Sequence, residues 1–167
     1  MNFSIIAGVD DKLGIGKNNG LPWRLSADLK NFALITIGKG NNAVIMGRNT
    51  WISLPEKFRP LRNRLNAVLS PEAMDLPSGV LRFASFDEAL DDLSKRNLDE
   101  VFVIGGARPF AEGLKRPECN KLYLTKVQGD FHCDTFFSPL PERFHLVSEG
   151  PMQEENGLRF RFTIYEV

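Results

Sequence analysis

The sequence predicts an α/β fold in which a central, mainly parallel, eight-stranded sheet with an antiparallel C-terminal strand is flanked by about four helices. Three observations lead to this prediction. The length of 167 residues suits about one domain, strand-like runs alternate with helical segments, and the last run alternates apolar with polar residues. No repeat, linker or low-complexity tract interrupts the chain, so we predict one domain over residues 1–167.

Eight short runs rich in Val, Ile, Leu and Phe have the length and composition of strands. The early runs are continuously apolar, which is typical of parallel strands buried on both faces. In the last run Leu158, Phe160 and Phe162 alternate with polar residues, which predicts an antiparallel strand near an edge. The eight predicted strands cover residues 3–10, 42–48, 64–70, 80–85, 100–106, 121–127, 144–149 and 158–167.

Four segments between these strands have features of helices. In the first, Ser26 is the predicted N-cap and Gly38 the predicted C-cap. Phe86 begins an apolar pattern at helical spacing in the third, and Pro109 lies near the first turn of the fourth, where proline is tolerated. The predicted helices cover residues 25–38, 50–54, 86–97 and 108–116.

The composition argues against several functional classes. The 21 Lys and Arg balance the 21 Asp and Glu, whereas proteins that bind nucleic acid or anionic membranes carry a basic excess. No apolar run approaches the roughly 20 residues of a membrane helix, and no signal peptide is visible. We therefore expect a cytoplasmic protein without nucleic-acid or membrane partners. Two cysteines and two histidines offer neither a disulfide framework nor a standard zinc site, so we expect no metal.

Ligands of parallel sheets bind beyond the carboxyl ends of the strands, so the chemistry is expected there. One predicted strand runs into Gly105 and Gly106 and then a helix, an arrangement that lets backbone approach a diphosphate. Arg48 follows another buried strand and suits a phosphate, although an ordinary surface arginine fits equally well. Residues 14–20, GIGKNNG, lack the spacing of a dinucleotide fingerprint and are predicted to form a flexible loop that closes over a ligand.

Asp28 lies three residues after Leu25 and four before Phe32, so its carboxylate falls on the apolar face of the first predicted helix. A buried acid must be paired, or its pKa rises. Asp28 is therefore a candidate for binding an amidine-like ligand edge. The alternative is an acid that only favours the helix dipole near the N-terminus.

Two further features bear on a ligand. The stretch 59–64 contains three arginines, which form either a solvated turn or a clamp for a carboxylate. Phe3, Trp23 and Phe32 are candidates for a flat aromatic pocket. With a phosphate site and one buried acid, these features favour hydride transfer from a nicotinamide, because that cofactor carries the difficult chemistry. The residues alone indicate a nucleotide-dependent α/β enzyme.

Over its whole length the chain resembles the dihydrofolate reductases, in their eukaryotic-like, single-domain form. The motifs that carry the resemblance are LPW with an acid five residues after its Trp, MGRNTW, VIGG and DTFF. IIAGVD, SLPEKFRPLRNRLNAVLS, SFDEAL and FRFTIYE add to it. The resemblance implies reduction of 7,8-dihydrofolate to 5,6,7,8-tetrahydrofolate by NADPH, with hydride transfer to C6 and protonation at N5. It further implies a monomer that supports one-carbon metabolism and thymidylate and purine synthesis, and that binds antifolates.

The resemblance also implies roles for individual residues. Asp28, hydrogen-bonded by Thr125, would bind the pterin amidine edge and support protonation, and Trp23 and Leu21 would complete the catalytic set. Arg64 would bind the glutamate α-carboxylate of the substrate. The other expected substrate contacts are Ile6, Ala7, Leu29, Phe32, Ile52, Leu54, Phe58, Arg59 and Leu61. The expected NADPH contacts are Ala7, Ile15, Gly16, Asn19, Leu21, Gly47, Arg48, Asn49, Thr50, Ser53, Leu69, Ser70, Pro71, Ser85, Ile104, Gly105, Gly106, Ala107, Arg108 and Phe110.

The same resemblance implies one backbone feature and one side-chain contact. The Gly105–Gly106 peptide is expected to be cis. Asp134 in DTFF matches a residue whose carboxylate accepts backbone N–H groups near residues 16–18, and so would latch the glycine-rich loop closed. A plain turn residue is the alternative for Asp134, because Asp is common in turns.

The sequence departs from the family pattern around the cofactor. Phe110 stands where a tyrosine is usual, so a hydroxyl is missing there. Asn49, Pro71 and Ala84 replace residues that are often basic or polar around the 2′-phosphate, whereas Arg48 remains. We therefore expect a preference for NADPH over NADH with a reduced margin.

Two other functions remain as alternatives. A pyrimidine reductase of the riboflavin pathway shares this fold and cofactor, but Asp28 on the first helix and the Arg64 clamp argue against it. A non-catalytic nucleotide-binding relative is the other, and the intact Asp28, Thr125 and Trp23 argue against that.

Overall fold

The computed structural model describes residues 1–167. Its helices are α1 (Ser26–Ile37), α2 (Arg48–Ser53), α3 (Phe86–Ser94) and α4 (Ala107–Leu114), and a 3-10 turn covers Glu56–Phe58. Its strands are β1 (Phe3–Val9), β2 (Gly14–Gly16), β3 (Asn42–Gly47), β4 (Arg64–Leu69), β5 (Leu81–Phe83), β6 (Val101–Gly105), β7 (Cys119–Val127), β8 (Thr135–Phe136), β9 (His145–Glu149), β10 (Gln153–Glu155) and β11 (Leu158–Glu166).

The main sheet has the strand order β5-β4-β3-β6-β1-β7-β11-β10, and β9 pairs with the second half of β11. The pairs among β1 and β3 to β7 are parallel, and β11 is antiparallel to β7. The eight predicted strands and four predicted helices are confirmed. The structure adds β10 to the main sheet and a separate pair formed by β2 and β8.

The continuously apolar strands are buried on both faces of the sheet. In β3, Ala43 and Ile45 belong to one core cluster, whereas Val44 and Met46 belong to another, and all four side chains are inaccessible to solvent. Successive side chains of a strand point to opposite faces, so a strand with helices on both sides needs apolar residues at every position.

The ends of α1 differ in how well local signals predict them. Gly38 has φ +53° and its N–H donates to the Leu34 carbonyl, which confirms it as the C-cap. The prediction of Ser26 as N-cap is wrong, because Leu25 occupies that position and Ser26 is the first helical residue. The serine does not cap the helix, because the carboxylate of Glu155 in the distant β10 accepts hydrogen bonds from the first N–H groups of α1.

The carboxyl ends of the parallel strands share one edge of the sheet. Helix α2 follows β3 directly and α4 begins two residues after Gly105 at the end of β6, so the starts of both helices lie at this edge. Pro109 is the third residue of α4, within the first turn as predicted. None of the helices is both long and apolar enough to cross a membrane.

Candidate active site

A carboxylate, a hydroxyl and an indole ring meet where the first turn of α1 approaches β1 and β7. Asp28 is the third residue of α1, and the Thr125 hydroxyl donates a hydrogen bond of 2.6 Å to its Oδ1. Gly8 of β1 is in register with Thr125. A Cβ at Gly8 would lie 3.2 Å from Trp23 Cζ2 and 3.7 Å from Asp28 Oδ2, so the glycine makes room for both side chains.

The electrostatics of Asp28 follow from this packing. Burial raises the pKa of the Asp28 carboxyl, and the hydrogen bond from Thr125 opposes that rise. No charged side chain contributes to the shift. The carboxylate is therefore a partly buried acid without a cationic partner in the chain, which suits a ligand edge that donates two hydrogen bonds.

Trp23 carries an unsatisfied donor beside this acid. Its Nε1 is buried and has no hydrogen-bond partner, and its ring packs edge-on against Phe131 with centroids 5.2 Å apart. Because a buried donor is usually paired, a ligand or water at this position would satisfy it. Leu21, two residues earlier, is 57% exposed, so its side chain is free to cover a bound molecule.

Arg64, the first residue of β4, carries a half-buried positive charge. Its Nη1 donates to the Thr36 hydroxyl at 2.9 Å, its Nε donates to the Arg62 carbonyl at 2.8 Å, and its guanidinium lies 5.9 Å from the Phe32 ring centre. Burial lowers the pKa of Arg64. Both of these bonds go to neutral oxygens, so the guanidinium retains donors for an anion.

The remaining expected substrate residues lie around these groups in different degrees of burial. Leu54 and Leu61 pack against the core cluster that contains Ile6, and Ala7 is partly buried in β1. The apolar side chains that stay about half exposed are Leu29 on α1, Ile52 on α2 and Phe58 in the 3-10 turn. Exposed apolar side chains of this size suit contact with an aromatic ligand.

One residue of the predicted aromatic pocket lies away from the site. The prediction of Phe3 in the ligand pocket is wrong: its ring is buried in the main core, 5.4 Å from the ring of Phe86. Phe3 opens β1 at the opposite end from the site, and hydrophobic burial accounts for it. Arg59, an expected substrate contact, donates from Nη1 to the Trp51 carbonyl of α2 at 3.3 Å, and its Nη2 lies 3.6 Å from Glu56 of the 3-10 turn.

The junction of β6 and α4 has the features of a diphosphate site. The Gly105–Gly106 peptide is cis, as expected, and Gly105 has φ +133°, which favours glycine. A Cβ at Gly105 would lie 3.2 Å from Thr50 Oγ1 and 3.6 Å from the Phe110 ring. Backbone without a Cβ therefore stands beside a hydroxyl and between two helix N-termini, which fits the diphosphate of a dinucleotide.

Most of the expected cofactor residues lie at the carboxyl ends of the neighbouring parallel strands β6, β3 and β4, and others lie in β2 or shortly after it. The residues at the end of β6 are Ile104, Gly105, Gly106, Ala107 and Arg108, and those at the end of β3 are Gly47, Arg48, Asn49, Thr50 and Ser53. The residues at the end of β4 are Leu69, Ser70 and Pro71. Those in β2 or shortly after it are Ile15, Gly16, Asn19 and Leu21. Ser85 is the N-cap of α3, where its hydroxyl accepts from the Glu88 N–H.

Arg48 is paired with an acid that sequence reasoning missed. Its Nη1 lies 3.5 Å from Glu72 Oε2, and both side chains are exposed. The buried Ser70 donates its hydroxyl proton to the Glu72 carbonyl at 2.8 Å, and Arg82 donates to the Ser70 carbonyl. A negative charge therefore stands beside the arginine that is predicted to meet a phosphate. No local pattern marks Glu72, because the pair joins the ends of two strands.

The glycine-rich loop is held by Asp134. Its Oδ2 accepts from the Asn18 N–H at 3.0 Å, and its own N–H donates to the Gly16 carbonyl at 2.9 Å. The predicted contact is thereby confirmed. The prediction of a loop over all of residues 14–20 is wrong for Gly14–Gly16, which form β2, because β8 offers them a partner strand.

Asp10 is a second residue that sequence reasoning missed. It is buried, and its carboxylate accepts from the N–H groups of Lys12, Gly14 and Phe131. Burial pushes the pKa of Asp10 upward, but these hydrogen bonds and one from Cys133 outweigh it, so the pKa is lowered. Asp10 therefore ties the glycine-rich loop to the segment before Asp134. An Asp followed closely by a glycine is the signal that was available.

No group of three or more His, Cys, Asp or Glu side chains stands close enough together to hold a metal ion.

Comparisons with known proteins identify relatives of this chain. The family model for dihydrofolate reductase matches residues 2–167. The dihydrofolate reductase of Drosophila melanogaster is 39% identical, with 99% of this chain and 98% of the relative covered. That of Rattus norvegicus is 39% identical, with 96% and 95% covered. The bifunctional dihydrofolate reductase-thymidylate synthase 2 of Arabidopsis thaliana is 38% identical over 98% of this chain and 31% of its own length. The chain belongs to the dihydrofolate reductase family.

Proposed function

We propose that this chain reduces 7,8-dihydrofolate to 5,6,7,8-tetrahydrofolate with NADPH. The observation that carries the proposal is the partly buried Asp28 carboxylate, oriented by Thr125 beside the unpaired Trp23 indole N–H. One chain supplies all of these groups, so the proposed reaction needs no second subunit, and in this proposal the enzyme acts as a monomer. Its product serves one-carbon metabolism.

Asp28 binds the amidine edge of the pterin in this proposal. The 2-amino group and N3 of the pterin donate to the two carboxylate oxygens, while Thr125 holds Oδ1 in place. Because burial raises the pKa of Asp28, the acid exchanges a proton more readily near neutral pH than an exposed aspartate does. It thereby supports protonation of N5 through a bound water that the Trp23 N–H helps to orient.

The cofactor occupies the edge formed by β6, β3 and β4. Bound NADPH supplies the hydride that reduces C6 of the pterin. Gly105 and Gly106 admit its diphosphate close to the backbone, and Thr50 donates to it. The loop held by Asp134 covers the nicotinamide end and excludes water.

The 2′-phosphate is the part of NADPH for which this chain is least equipped. Arg48 is its cationic contact, but Glu72 stands 3.5 Å from that guanidinium. In dinucleotide sites an acid favours a ribose hydroxyl and an arginine favours a phosphate. The preference for NADPH over NADH is therefore small in this proposal.

Arg64 binds the glutamate α-carboxylate of dihydrofolate. Its guanidinium is half-buried and lies over Phe32, and its bonds to Thr36 and Arg62 use neutral acceptors. A bidentate contact with a carboxylate fits the donors that remain.

The test is the oxidation of NADPH, followed by its absorbance, in the presence of dihydrofolate. We expect turnover that a diaminopyrimidine antifolate stops. Asp28→Asn should retain NADPH binding and lose roughly 100-fold or more in rate at pH 7, with a residual rate that rises as the pH falls, because free substrate is then protonated in advance. The matched control is Glu154→Gln, which removes an exposed acid far along the chain.

Three outcomes would contradict the proposal. A wild-type chain that binds NADPH but oxidises none with dihydrofolate would be a non-catalytic nucleotide-binding relative, and turnover of the riboflavin-pathway pyrimidine instead would identify the other reductase. Undiminished activity of Asp28→Asn at pH 7 would remove Asp28 from the mechanism.

A further inference from the structure

Helix α1 begins without an acceptor of its own. The first N–H groups of a helix have no partner within it, and the N-cap residue here is Leu25, whose side chain accepts nothing. The Glu155 carboxylate of β10 fills this role instead. Its Oε2 accepts from the Ser26 N–H at 2.7 Å, and its Oε1 accepts from the Ser26 hydroxyl at 2.9 Å and the Ala27 N–H at 3.1 Å.

The pairing of β10, β11 and β7 fixes the position of Glu155 relative to Thr125. Strand β10 joins β11 through Asn156 and Gly157, with φ +52° and +78°, which is the backbone of a tight two-residue hairpin. Strand β11 pairs in turn with β7, where Phe162 is in register with Thr125. Glu155 and Thr125 are therefore carried by the same sheet.

The first turn of α1 is consequently attached to that sheet at two points. Thr125 bonds the Asp28 carboxylate directly, and Glu155 bonds the two residues that immediately precede Asp28. A turn released from one of these contacts can fray at its start, and a small displacement of a catalytic group lowers the rate strongly.

The charge on Glu155 favours this contact at neutral pH. Hydrogen bonds from the Ser26 and Ala27 N–H groups lower the pKa of Glu155, and the Lys30 ammonium adds to the effect. The carboxylate also faces the positive end of the helix dipole. The contact is therefore present at the pH at which the proposed enzyme works.

We infer that Glu155 is a positioning residue that holds the first turn of α1, so that the Asp28 carboxylate stays aligned with the pterin edge. This inference rests on the proposed function, because the alignment matters only if Asp28 binds substrate. Glu155 acts in this inference through its bonds to Ser26 and Ala27, and not by contact with substrate or cofactor.

The experiment compares Glu155→Ala with Glu155→Gln and with Glu154→Ala. Glu154 is the exposed neighbour in β10, its side chain lies on the other face of the strand, and its removal takes away the same charge. Loss of a helix cap corresponds to roughly five- to tenfold in an equilibrium. We expect kcat/KM for dihydrofolate to fall by about that factor in Glu155→Ala and KM for NADPH to stay unchanged.

Two further readouts separate positioning from general stability. Glu155→Gln keeps one oxygen acceptor and should recover part of the activity, and hydrogen exchange of the amides of residues 26–28 should rise only in the Glu155 variants. Equal losses for both substrates together with a lowered Tm, or a Glu154→Ala variant that behaves like Glu155→Ala, would overturn the inference. If the wild-type chain has no reductase activity, the proposed function fails, and the amide exchange still shows whether Glu155 holds the turn.

Discussion

Replacing Arg64 by leucine tests the substrate end of the site. The guanidinium has five N–H donors, of which the chain uses one on Nε and one on Nη1, both toward neutral oxygens. Three donors therefore remain for the α-carboxylate of dihydrofolate. We expect Arg64→Leu to raise KM for dihydrofolate strongly and to leave NADPH affinity unchanged.

The size of this effect follows from the surroundings of Arg64. The side chain is half-buried, and burial lowers its pKa, so the bond to the carboxylate forms in a site that is partly shielded from water. Removing a bidentate, charge-assisted interaction from such a site costs about 2–4 kcal/mol, which corresponds to roughly 30- to 1000-fold in KM. The fold should persist, because the Thr36 hydroxyl still donates to the Phe32 carbonyl without Arg64.

The assay is steady-state kinetics with dihydrofolate and with a pterin that lacks the glutamate tail. The truncated substrate should be indifferent to Arg64→Leu, and Arg64→Lys should be intermediate, since it keeps the charge and loses the fork. Arg62→Leu is the matched control, because Arg62 is exposed and only its backbone carbonyl meets Arg64. An equal rise in KM with the truncated substrate would refute the reasoning and make Arg64 structural.

Three other substitutions have defined outcomes. Burial raises the pKa of Asp28 above its ordinary value of 3.8, so the ionised carboxylate destabilises the fold. Asp28→Asn should therefore be more stable to urea at pH 7, a gain that shrinks as the pH falls through the raised pKa and is gone below 3.8. Lower stability of the variant at pH 7 would contradict this. Asp134→Ala removes the acceptor of the Asn18 N–H and should weaken NADPH binding about tenfold by titration; an equal weakening of folate binding would make Asp134 a turn residue only. Glu72→Gln removes the acid beside Arg48 and should raise the ratio of kcat/KM for NADPH to that for NADH about two- to fivefold, the range of an exposed ion pair, whereas an unchanged ratio would exclude Glu72 as a determinant.

The strands, the helices and the position of Asp28 could be predicted, because each depends on a local pattern of apolar and polar residues. A strand such as β3 is covered by helices on both faces, so it must be apolar throughout, and that requirement is visible in six residues. The helical period placed Asp28 on the apolar face of α1 without any tertiary information. The resemblance to the family predicted the cis peptide after Gly105 and the contact of Asp134 with the glycine-rich loop, and the structure confirms both.

Only the tertiary structure decided which distant residues complete these local features. Ser26 is a sound local candidate for an N-cap, yet Glu155 takes that role from 129 residues away. Phe3 has the character of a pocket residue, but its position in β1 buries it in the core. The physical reason is the same in both cases. Amphipathic period and turn chemistry depend on neighbours within a few residues of the chain. Hydrogen-bond partners and burial depend on strand order, because strand order brings together segments that no local pattern connects.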